Sequence, residues 1–328
     1  MRERHSSTDL LRFTASFFVV LLHAAAQEMG GLSGTESGAW LPCLYNAVSR
    51  FSVPIFVMIS GRYFLASPCS ISRSTKKALQ MLRLLLSWSG LYLAVDLIRG
   101  WRPDSVSAAL ARWLTEPVHL WYFYAAAALY LFAPILSVFT VNASRQQLIY
   151  ALFLTGLFGS VVTTALRAER FPLLAELIEK SKVPYAMGFL FCFLLGHYLT
   201  RFPPQKRCRL LLYAAGAAGT LFTFAGTLFL SRSNGGWTEF LFSFYAPNVI
   251  LTAAAVFTAA NHVSLSASVQ PFLSALADAS GGVYGLHILI LSLLPSVIPG
   301  ILLRTLAAYV ASCTAVLIVK RALRLVKR

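Results

Sequence analysis

The feature that most limits what this chain can fold into is a succession of apolar segments that follow one another almost without pause. A helix needs ~20 mainly apolar residues to cross the hydrocarbon core of a bilayer. Ten segments approach or meet that length, at roughly 10–28, 43–65, 79–98, 119–139, 147–166, 184–200, 210–230, 240–260, 279–298 and 302–319. The joining stretches are short, with no soluble domain, low-complexity region or internal repeat. Of 328 residues, 57% are hydrophobic and 12% charged, against about 25% charged in soluble domains. Such a surface cannot be hidden from water, so the bilayer is the solvent. The expectation is an all-α polytopic membrane protein, one transmembrane domain over 1–328, with membrane lipid as its surroundings.

A net charge of +16 raises the question of nucleic acid, which basic patches bind through counterion release. Here the cations sit in short loops between apolar runs, and no zinc, helix-turn-helix or RNA-binding pattern occurs. Nucleic acid is therefore not expected. The five cysteines, Cys43, Cys69, Cys192, Cys208 and Cys313, are scattered without CxxC spacing, which supports neither a disulfide framework nor a metal site.

With ten spans both termini lie on one side. The loops on that side carry fifteen Lys and Arg, including Arg73, Lys76, Lys77, Arg201, Lys206, Arg207 and Arg209; the opposite loops carry nine, such as Arg99, Arg112 and Arg304. The positive-inside rule then puts both termini in the cytoplasm. A basic start and Ala24-Ala25-Ala26 imitate a cleaved leader. Asp9 and Arg12 interrupt its apolar region, and the segment reads as a retained first helix.

Ionisable groups inside spans are costly and therefore functional candidates. Arg12 and His23 are eleven residues apart, three helical turns plus ~20°, so they share one face about 16 Å apart. Ser16 and Val19 fill the stripe between them. Arg12 alone reads as a snorkelling cation at the inner end; His23, beyond the midplane, is either a histidine capped by a neighbouring helix or a natural general base. Together they suggest an anion site inside and a proton-transfer site further out. In the second span, Arg50 and Gly61 repeat the eleven-residue spacing, and Pro54 is expected to kink the helix; Arg50 is either an intramembrane cation at the depth of His23 or an interfacial arginine paired with headgroups. The fourth span opens with His119-Leu120-Trp121-Tyr122-Phe123-Tyr124, an aromatic belt or a sugar platform. In the ninth, Tyr284 and His287 are i, i+3 neighbours, for which structural hydrogen bonding is one reading. Asp96 is either an intramembrane carboxylate or a loop-proximal charge.

In this order the segments resemble the acyltransferase-3 family of membrane O-acyltransferases. Asp9-Leu10-Leu11-Arg12 followed after ten residues by His23 is similar to that family's Arg-x10-His signature. Ser49-Arg50-Phe51-Ser52-Val53-Pro54 through Ser60-Gly61, His119 to Phe123 with Tyr130 and Pro134, and Ser280 to His287 resemble its second, fourth and ninth helices. The likeness covers nearly the whole chain. It is nearest to the small single-domain branch that includes the O-acetyltransferase of enterobacterial common antigen, without the hydrolase-like C-terminal domain of larger members.

The resemblance implies a cell-envelope enzyme of the bacterial inner membrane. It would carry acetyl from cytoplasmic acetyl-CoA to a hydroxyl of a saccharide, free or polyprenyl-linked, outside; no metal is implied. Arg12, with Arg73, Lys76, Lys77 and Arg83, would bind the donor phosphates. His23 would be general base or acyl carrier. Arg50, Ser60, His119, Trp121, Tyr284 and His287 would bind the acceptor or support the site. The rival is a transporter or flippase for a lipid-linked sugar or small anion, which helices broken at Pro54 and Pro134 would suit; the lack of a repeat between the halves speaks against it. Oligomeric state is not legible.

Overall fold

A computed structural model of the protein describes residues 5–115, 118–167, 189–294 and 298–326. Among them every regular element is helical: α1 (Ser6–Gly30), α2 (Trp40–Ser49), α3 (Ser52–Phe64), α4 (Ile71–Ile98), α5 (Val106–Thr115), α6 (Trp121–Asn142), α7 (Arg145–Gly156), α8 (Thr163–Arg167), α9 (Leu190–Arg201), α10 (Lys206–Asn234), α11 (Pro247–Ala260), α12 (Gln270–Leu291) and α13 (Ile301–Val326). Nine helical stretches among the described residues are long and apolar enough to cross a membrane. The tenth expected span, 184–200, begins outside the described residues and is helical over Leu190–Arg201. The protein is thus an all-α polytopic membrane protein.

The chain divides into two compact units, Met1–Arg62 with Ser144–Arg328, and Tyr63–Ala143. In the larger unit, small residues let helices approach closely. Lipid offers apolar side chains no reason to leave it, so close packing and hydrogen bonds must hold the helices together. Ala24, Ala25, Ala279 and Ala308 lie in one buried cluster of α1, α12 and α13. A Cβ on Gly61 would strike the Phe193 backbone, and one on Gly196 the Met58 backbone, so α3 and α9 cross backbone to backbone. Polar side chains join α10 to α11: Asn248 Nδ2 donates to Thr223 Oγ1 at 2.7 Å, and Thr252 Oγ1 donates to the Gly216 carbonyl at 3.0 Å.

In the same unit α1 and α12 run side by side in one direction. Near their starts, Ser274 Oγ donates to the Asp9 carboxylate at 2.7 Å and Gln270 Nε2 lies 3.4 Å from it. Further along, His23 lies against His287. Parallel helices require an even number of crossings from one to the other. α12 satisfies this as the ninth of the ten expected spans, with α9 counted as a crossing.

The two prolines act differently. Pro54 has no N–H for the Arg50 carbonyl, and its ring crowds that carbonyl. The helix accordingly breaks a turn earlier than the proline, at Arg50–Phe51 between α2 and α3. The expected break at Pro134 does not occur. α6 runs through it, because Ser74 Oγ, within the smaller unit, donates to the carbonyl of Tyr130 that Pro134 leaves without its helical donor.

Candidate active site

His23 is half-buried in α1, and its ring centroid lies 5.1 Å from that of His287, with the planes at 48°. His287 is fully buried, at 0% exposure. Its Nδ1 is 3.0 Å from the Val283 carbonyl and 2.9 Å from the Tyr284 carbonyl. Carbonyls only accept, so Nδ1 carries the proton, and in the neutral ring Nε2 is an acceptor. The Tyr284 ring, 6.1 Å away, covers the same histidine. The hydrogen bonding of the α12 motif is thus with its own backbone, and it fixes the tautomer of a ring set against His23.

Along the α1 stripe, Ser16 and Val19 are buried, each 2% exposed. Ser16 Oγ donates to the Phe13 carbonyl at 2.9 Å and lies 3.0 Å from the Tyr309 hydroxyl of α13. Arg12 is half-buried, and among the described residues no hydrogen bond or ion pair holds its guanidinium. Beyond His23, Glu28 pairs with the buried Arg304 and locks α1 to α13. The end of α1 is held by Trp237, whose Nε1 donates to the Met29 and Leu32 carbonyls at 3.0 and 2.9 Å; such carbonyls have no partner inside the helix.

Arg50 lies at the α2–α3 break. Its Nε donates to Asn46 Oδ1 at 2.6 Å, and its guanidinium carbon sits 4.6 Å from the Phe242 centroid and 5.4 Å from that of Phe244. The Ser60 hydroxyl donates to the Phe56 carbonyl one turn back, at 3.0 Å.

The smaller unit holds the remaining candidates. His119 stands in a 3-10 turn, Val118–Leu120, ahead of α6 rather than within it, with its centroid 5.0 Å from Tyr92. Trp121 opens α6 and is set edge-on to Tyr122. α4 begins eight residues before the expected span. Arg73, Lys76 and Lys77 therefore occupy its first turns, Arg73 lying 5.0 Å from the Phe64 centroid. Arg83 stands apart from them: it is exposed and ten residues, about 15 Å, beyond Arg73. Asp96 proves structural, pairing with Arg112 at 2.8 Å, and Arg112 stacks on Trp101 at 4.7 Å.

Sequence reasoning missed Asn46, Phe242, Phe244, Tyr309 and Arg304. Asn46 had a signal, a buried amide one turn before an intramembrane arginine. Arg304 had one too, an ionisable group within the expected span 302–319; Phe242, Phe244 and Tyr309 are brought in by tertiary contact from distant segments and had none.

A family model described as an acyltransferase domain matches residues 5–321. No curated protein and no solved structure matches the chain.

Proposed function

The chain belongs to the acyltransferase-3 family of membrane acyltransferases, and from that premise we propose that it moves acetyl from cytoplasmic acetyl-CoA to a saccharide hydroxyl outside. The membrane would be the bacterial inner membrane and the acceptor a surface or lipid-linked glycan, as the likeness to the enterobacterial common antigen branch suggests. The observation that carries this reading is the pairing of His23 with His287, a ring held in one tautomer by two carbonyls.

In the direct route His23 takes the proton of the attacking hydroxyl. The oxygen bonds to the thioester carbon, the C–S bond breaks, and His23 returns the proton to the departing thiolate. In the two-step route the His23 nitrogen attacks first, coenzyme A leaves as the thiol, and the hydroxyl then takes acetyl from the acyl-imidazole. Arg12, half-buried with an open fork about 16 Å before His23, suits a donor phosphate through paired charge-assisted bonds.

Two measurements test the reading. Purified protein should release coenzyme A from acetyl-CoA, and mass spectrometry should find acetyl on surface glycan only when the gene is present. His23→Ala should lower transfer by about 10²–10⁴-fold or more with donor binding and expression intact. Near-wild-type acetylation by that variant would end the mechanism. Acetyl retained on the wild-type protein without acceptor would select the two-step route.

A further inference from the structure

Arg50 is a cation in a membrane-spanning segment, and an unpaired charge there is costly. Its surroundings orient it without neutralising it. Asn46, which pins Nε, is itself 1% exposed and donates from Nδ2 to Met29 Sδ at 3.1 Å. The Phe242 and Phe244 rings take the face of the guanidinium. Among the described residues neither terminal nitrogen of Arg50 has a hydrogen-bond partner, and the side chain is half-buried rather than sealed. The acidic group whose charge reaches it, Glu239, is exposed. The result is a planar fork, fixed on three sides and open at its two-nitrogen edge.

Its depth is set by two contacts with α1. Phe51 packs on Phe18 with centroids 4.9 Å apart, and Asn46 reaches Met29. His23 lies between Phe18 and Met29 on that helix, so the break carrying Arg50 stands at the level of His23. Arg12 is at the other end of the stripe.

We propose that the open fork of Arg50 is an anion subsite for the acceptor. It would hold a phosphate or carboxylate attached to the saccharide, so that a hydroxyl of the same molecule reaches His23. The guanidinium edge matches either group with two parallel charge-assisted bonds. A neutral sugar would leave the cation unpaired in a poor dielectric. The acceptor class is therefore anionic: a saccharide on a lipid phosphate, or one containing an acidic sugar. This rests on the acetyl-transfer reading for its purpose, though not for the binding itself.

The test uses purified protein in phosphatidylcholine nanodiscs, titrated with inorganic pyrophosphate and with sodium glucuronate. Wild type should bind at least one of them, pyrophosphate preferentially if the anion is the lipid linkage and glucuronate if it is an acidic sugar. Arg50→Gln should lose on the order of tenfold in affinity and Arg50→Lys should keep part, since a bidentate pair becomes a point contact. Arg12→Gln should retain the component that Arg50→Gln removes. Should Arg50→Gln fail to fold, Asn46→Ala frees Nε and should weaken binding several-fold. Wild type that binds neither anion, or variants at Arg50 and Asn46 that bind as tightly as wild type, would overturn the subsite. Coenzyme A release is read in the same samples: its absence with Arg50-dependent binding intact sinks the enzyme reading alone, and the converse sinks the subsite alone.

Discussion

His287 shows how two carbonyls can fix the tautomer of one residue. Nδ1 is held by Val283 and Tyr284, leaving Nε2 as the acceptor of a ring whose centroid is 5.1 Å from that of His23. If that acceptor orients His23, the two amide replacements should separate. In His287→Gln the amide oxygen can stand near the place of Nε2 while the backbone bonds are lost. In His287→Asn the amide donor can stand near Nδ1, and the acceptor is lost. The expected outcome is more turnover in the Gln variant, with acetyl-CoA KM unchanged and kcat carrying the loss in both. More turnover with Asn, tracking thermal stability, would make His287 a packing residue. Arg12 is tested by affinity instead. Arg12→Ala should weaken acetyl-CoA binding and Arg12→Lys should restore only part of it, because an ammonium lacks the fork. Donor affinity unchanged in Arg12→Ala would leave Arg12 as a topology signal.

At the scale of helices, the contact of α3 with α9 is the tightest test of packing. Gly61 faces the Phe193 backbone and Gly196 faces the Met58 backbone, so an added methyl meets main chain, which cannot swing aside. Gly61→Ala or Gly196→Ala should cost on the order of 1–3 kcal/mol by overpacking, read as a lower unfolding temperature in detergent. Gly281→Ala is the control, since space is open there, and equal losses at all three positions would refute the close crossing. The spans themselves were legible because twenty apolar residues in lipid have few alternatives to helix. The breaks were not. Pro54 and Pro134 look alike in sequence, yet one ends a helix and the other is bridged by Ser74, a partner 56 residues away in the chain. The site divides in the same way. Arg12 and His23 were readable from their spacing on one helix, and Arg50 from its cost inside a span. The pairing of His23 with His287, and the rings that frame Arg50, depend on which helices become neighbours.

At the scale of the whole molecule, direction of transfer depends on sidedness. The excess of Lys and Arg in the loops on the N-terminal side predicts, by the positive-inside rule, that this side is the cytoplasmic one. The parallel run of α1 and α12 agrees with an even total of spans, provided that α9 crosses and α13 returns. A native reporter is already present. Cys208 is exposed in the first turn of α10, whereas Cys43, Cys69, Cys192 and Cys313 are buried. An impermeant maleimide added to intact spheroplasts should therefore leave the wild-type protein unlabelled, and lysis should make Cys208 reactive. Ser233, exposed near the far end of the same helix, supplies the opposite reading. In a Cys208→Ser background, Ser233→Cys should label before lysis. Because α10 is 29 residues long, about 43 Å at 1.5 Å per residue, its two ends cannot share a side while it spans the membrane. Labelling of Cys208 in intact spheroplasts would invert the bundle. Arg12 would then face outward, away from acetyl-CoA, and transfer from cytoplasm to surface through His23 would lose its direction.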